Sequence, residues 1–80
     1  MRSKEAIQMR IYELCDQYNL TINALARVSG ITQSTLNNIT CGRNNSTTIA
    51  TVKKICDGLE IELPVFFDSD YFLNLEQEIL

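Results

Sequence analysis

Eighty residues, 45% of them hydrophobic and 21% charged, make one small domain with a single core and leave no low-complexity run to suggest disorder. No run approaches the ~20 apolar residues that span a bilayer, and the start MRSKEAIQMR lacks the apolar stretch of a secretory signal, so a cytoplasmic protein is expected, with no membrane partner. The absence of histidine removes the commonest general base and any Cys/His zinc set; no catalytic residue, metal or cofactor is expected.

The first element is a helix, because Ile7, Ile11, Leu14 and Tyr18 recur at i, i+4, i+7 and i+11. Ser3 is read as its cap and Asn19, tolerant of left-handed backbone, as its end. Thr21 caps a short second helix bearing Ile22, Leu25, Ala26 and Val28, which stops at Gly30. Thr32 caps a third, from Gln33 to about Cys41, closed by Gly42. RNNS, residues 43–46, is a loop. Thr47 or Thr48 opens a fourth helix with the stripe Ile49, Val52, Ile55, Cys56 and Leu59. Pro64 suits the first turn of a fifth, which buries Phe66 and Phe67. Residues 68–80 are acidic, with Phe72, Leu75 and Ile79 spaced for a short sixth helix. Cys15 and Cys56 fall on apolar stripes and are read as buried free thiols. No strand alternation or internal repeat is present. The expected fold is all-α, a compact bundle of five short helices with room for a short sixth at the C-terminus.

The third helix has an unusual surface. Leu36 and Ile39 point one way, with Thr32 and Thr35 beside them. Gln33, Ser34, Asn37, Asn38 and Cys41 point the other way, within an arc of about 140°. Asn, Ser and Thr cost up to roughly 0.7 kcal/mol each against Ala in a helix, and a merely solvated face would use Glu, Lys and Arg. Charge is unevenly spread along the chain, although the net is only −3. Residues 17–56 carry Arg27, Arg43, Lys53 and Lys54 and no acid, whereas residues 57–80 carry seven acids and no base. The middle of the chain would therefore not repel a polyanion.

These residues carry a resemblance. Residues 21–67, TINALARVSGITQSTLNNI…GRNNSTT…VKKICDGLEIELPVFF, resemble the helix-turn-helix domain of the lambdoid phage repressor and Cro (Xre) family. The matching features run in order: the Thr21 cap, Leu25-Ala26, the Gly30 turn, Ile31, Thr32-Gln33-Ser34, core Leu36 and Ile39, Gly42, and a polar loop. The resemblance implies a lambda-repressor-like DNA-binding domain over residues 1–67 and the function of a sequence-specific transcriptional regulator, a dimeric repressor of double-stranded DNA. It places the third helix, about 32–41, in the major groove. Amides there match base edges, Gln or Asn bonding bidentately to adenine, which gives a neutral helix face a purpose.

By the same resemblance Gln33, Ser34 and Asn38 are base contacts, and Asn37 reaches a base or a phosphate. Thr21, Thr32, Arg43, Asn44, Asn45, Ser46 and Thr47 are implied phosphate contacts, with helix-terminal amides at Thr47 and Thr48. Three departures stand out. Ile22 replaces a DNA-holding Gln, Cys15 and Thr40 replace an Arg–Glu ion pair, and the loop is Asn-rich where relatives carry cations. Weak electrostatic binding follows, with the acidic tail turned away from DNA. Residues 68–80 are read as a dimerisation segment, with Tyr71, Phe72, Leu75 and Ile79 exposed. The alternative use of the fold is an antitoxin-like interaction module, its acidic tail the handle for a protein partner.

Overall fold

The computed structural model describes residues 1–42 and 47–79. Five helices follow in order: α1 (Ser3–Gln17), α2 (Ile22–Ser29), α3 (Gln33–Thr40), α4 (Ile49–Leu59) and α5 (Leu63–Phe66). A single 3-10 turn, Asp70–Phe72, stands where a sixth helix had room to form, and the described residues contain no strand.

Local chemistry sets most helix ends. The hydroxyls of Thr21, Thr32 and Thr48 each accept from the amide three residues on, capping α2, α3 and α4. Asn19, Gly30 and Glu60 adopt left-handed backbone at φ 55°, 67° and 59°. The next amide then bonds back five residues, Leu20 to Cys15, Ile31 to Ala26 and Ile61 to Cys56. Asn and Gly are usual in this role; Glu60 is strained there, by about 1–2 kcal/mol for a residue with a Cβ. The expected Ser3 cap is displaced by one residue. Arg2 is the extended N-cap and its amide donates to Glu5 Oε1 at 3.1 Å, while Ser3 begins the helix.

The core joins Ile11, Leu14, Cys15, Leu25, Ala26, Leu36, Ile39, Val52, Ile55, Cys56, Leu59 and Phe66. Ile7 and Ile22 pack against it half-buried, whereas three other expected stripe residues do not. Tyr18, beyond the last residue of α1, Val28 and Ile49, the first residue of α4, are exposed, because the stripe outruns the packed interface at helix ends. Phe67 is half-buried in an aromatic cluster with Phe66 and Phe72, each ring 5.0 Å edge-on from that of Phe67. Where α4 crosses α2, a Cβ on Gly58 would sit 2.8 Å from the Val28 carbonyl oxygen, so this close approach requires glycine.

One buried charge ties the ends of the bundle together. Arg10, on α1, donates from Nε to the Phe66 carbonyl at 2.7 Å and from Nη2 to the Val65 carbonyl at 2.8 Å, and pairs with Glu13. It satisfies the Phe66 carbonyl at the end of α5 and adds a second donor to the Val65 carbonyl, which also accepts from the Asp68 amide at 3.2 Å. From there the tail folds back onto α1. Tyr71, Phe72 and Leu75 are half-buried, so the apolar set expected to be exposed reduces to Ile79, joined by Leu73.

Candidate nucleic-acid interface

α2 and α3 meet around the Gly30 turn, and their first turns come together on the surface. Gln33 Nε2, in the first turn of α3, donates to Asn23 Oδ1, in the first turn of α2, at 2.5 Å. Asn23 lies next to the departure at Ile22. Ile22 turns inward and packs against the core, which leaves its neighbour Asn23 exposed and facing α3. Sequence reasoning missed Asn23, since nothing local says which of two adjacent residues faces the next helix.

The outward face of α3 is uncharged, as its residue types require. Gln33 and Ser34 are exposed; Asn37 and Asn38 are half-buried beside them. The opposite face buries Leu36, Ile39 and Thr40, whose hydroxyl bonds back to the Leu36 carbonyl at 3.2 Å. Thr40 and Cys15 are both buried and neutral, so no ion pair joins these two positions. Burial pushes the thiols of Cys15 and Cys56 up from their ordinary range, which keeps them neutral and unreactive. Cys41 is exposed at the end of α3.

Thr21 and Thr32 differ in what they have left to offer. Each spends an acceptor on its cap, but the Thr32 hydroxyl also donates to Thr35 Oγ1 at 2.8 Å. The Thr21 hydrogen remains available for an outside acceptor. The first two amides of α2 and of α3 lack intrahelical partners by geometry. Thr47 is half-buried just before the Thr48 cap of α4. Arg43, Asn44, Asn45 and Ser46 lie outside the described residues.

Cations and acids separate less cleanly than composition suggests. Arg27 and Lys54 are exposed with no acid partner among the described residues, while Lys53 pairs with Asp57 one turn along α4. Asp68 and Asp70 lie with Arg10, Glu13 and Gln17, toward the far half of α1. Glu78, however, returns to the start of α1, beside Arg2 and Gly42. The tail is thus not wholly turned away from the end of α3, contrary to expectation. Among the described residues no group of three His, Cys, Asp or Glu is placed to hold a metal ion, and no helix is long and apolar enough to cross a membrane.

Comparison with known proteins agrees with this geometry. The helix-turn-helix family model matches residues 11–66. The prophage Lp1 protein 11, known from a crystal structure, is 37% identical and superposes with a TM-score of 0.80, over 94% of this chain and 100% of that one. No curated protein matches. The chain belongs to the Xre-like helix-turn-helix family and is a DNA-binding regulator of that type.

Proposed function

We propose that the chain is a dimeric repressor acting in the cytoplasm, residues 1–67 binding DNA and residues 68–80 contributing to the contact between two copies. The observation that carries this reading is the exposed neutral face of α3 with Gln33 already oriented by Asn23. Gln33 enters the groove first and offers its amide to adenine; Ser34, Asn37 and Asn38 follow along the same face. Thr21, Thr32, Thr47 and the 43–46 loop meet phosphates, which set register without specifying bases. Promoter occlusion needs only occupancy of the site, so no activating surface is required.

Two half-sites about 34–36 Å apart call for two copies. Leu73 and Ile79, at 72% and 79% exposure, are apolar side chains that the bundle does not use. Few cations face the groove, so the salt slope for a dimer should be shallow, roughly −3 to −5 at about 0.9 per phosphate.

Selection from a random duplex pool is the test. The expected product is a two-fold symmetric site; failure to enrich any motif sinks the reading and favours the interaction module, with a protein partner on the acidic tail. Sedimentation of the wild type and of Leu73→Lys/Ile79→Lys tests the dimer, which should dissociate in the variant. A wild-type monomer on DNA would end that part of the proposal.

A further inference from the structure

The N-terminal edge of α1 is a charged surface that the reading of α3 does not use. Glu78 arrives there from 75 residues away, its Oε2 accepting from the Ser3 amide at 3.3 Å. Hydrogen bonding from Ser3, helped by the charge of Arg2, holds the Glu78 carboxyl below its usual range. The Glu76 amide donates to the Met1 carbonyl at 3.1 Å, and its carboxylate lies 3.3 Å from the Met1 nitrogen. A carboxylate therefore occupies the first turn of a 15-residue helix, where the amides and the helix dipole favour a phosphate oxygen equally well.

This edge adjoins the end of α3. Lys4 Nζ donates to the Gly42 carbonyl at 3.4 Å, and Arg2, Lys4, Glu5, Gln8, Gly42 and Glu78 line one open cleft. The tail segment that fills it is lightly held. Glu76, Gln77, Glu78 and Ile79 are all exposed, and exposed ion pairs are weak and screened by salt.

We propose that the α1 edge, Arg2 and Lys4 with the Ser3 amide, is a second contact surface for the DNA backbone, and that Glu76 and Glu78 are its built-in competitor. With the tail in place the two glutamates offset the cations of this edge. A duplex seated on α3 brings phosphates toward Gly42; one of them replaces Glu78 at the Ser3 amide and draws in Arg2 and Lys4. The tail then leaves the edge. The inference rests on the DNA reading of α3, and it adds a brake that weakens binding to any sequence alike.

The test compares the full-length chain with Glu76→Gln/Glu78→Gln, with Arg2→Gln/Lys4→Gln, and with all four changes together. Affinity is read by anisotropy on the selected duplex and on random duplex across a salt series. The glutamine pair on the tail should tighten binding to both duplexes and steepen the salt slope by about 0.9 for each phosphate gained. For two phosphates the gain should shrink about 10-fold between 50 and 200 mM salt. The Arg2/Lys4 change should cost the wild type little and abolish the gain in the quadruple variant. A control with Glu60→Gln/Glu62→Gln removes the same charge from elsewhere and should reproduce less of the effect. Equal affinity and slope for wild type and tail variant overturn the brake and leave the DNA reading standing. A gain that survives in the quadruple variant overturns the α1 contact. No binding by any variant overturns the DNA reading and the brake with it.

Discussion

The outward face of α3 and the N-terminal edge of α1 flank the same residue, Gly42, and handle polarity in opposite ways. On α3 the polar groups are neutral, and Gln33 is held by a neutral amide from α2. On the α1 edge they are charged, and the chain supplies its own counter-charges from Glu76 and Glu78. A neutral amide orients without strong desolvation and needs no counter-ion, so it does not compete with the chain's own charges. A cationic edge attracts any carboxylate within reach, including the chain's own, and its availability becomes a competition. The neutral surface costs helix propensity; the charged one is offset by the chain's own carboxylates.

The comparison breaks most severely if the tail loses its origin. Arg10→Met removes the donor to the Phe66 and Val65 carbonyls and should lower stability by about 3 kcal/mol, read by urea denaturation. The specific-to-random DNA ratio per folded molecule should remain. A loss below 1 kcal/mol would mean that water replaces the guanidinium there. Gln33→Ala addresses the other surface, with an expected loss of about 1–3 kcal/mol of discrimination and unchanged thermal stability, since the side chain is exposed. Retention of the full ratio would remove α3 as the reader.

Asn23→Ala should act in the same direction but less, about 0.5–1.5 kcal/mol, through loss of one orienting hydrogen bond. Its salt slope should match the wild type, because no phosphate contact is involved; a changed slope would place Asn23 on the backbone. Glu60→Gly relieves the left-handed cap and should raise stability by up to about 1 kcal/mol, leaving both surfaces untouched. The smallest effect belongs to Glu78. Its ionised form is favoured in the folded chain, so its contribution is present above the usual carboxylate range and fades as pH falls through its lowered value. The melting curves of wild type and Glu78→Gln should differ slightly at pH 7 and converge in acid. A gap that persists at pH 3 would assign the contact to something other than the carboxylate charge.

The helices were legible because their signals are local. A threonine cap acts on an amide three residues away, and Asn19 and Gly30 mark their turns by their own φ. The neutral arc Gln33, Ser34, Asn37 and Asn38 was legible for the same reason: a helix of known start and period places each side chain at a fixed angle. Where periodicity alone was used, it reached too far, as Tyr18, Val28 and Ile49 show, since a stripe does not record where the neighbouring helix ends.

The residue pattern by itself determined five helices, threonine caps on α2, α3 and α4, one apolar face on each of the four longer helices, the helix-turn-helix order and the uncharged surface of α3. Tertiary structure alone decided what joins distant residues: Asn23 to Gln33 across a turn, Arg10 to the end of α5, Gly58 against α2, and Glu78 to Ser3. Composition also made the tail a block of charge, and only the folded path put Glu78 beside Gly42 and Asp70 toward the opposite half of α1. The physical reason is range. Caps and periodicity act within one or two turns, whereas these contacts depend on how helices cross and where a lightly held tail finds its counter-charge.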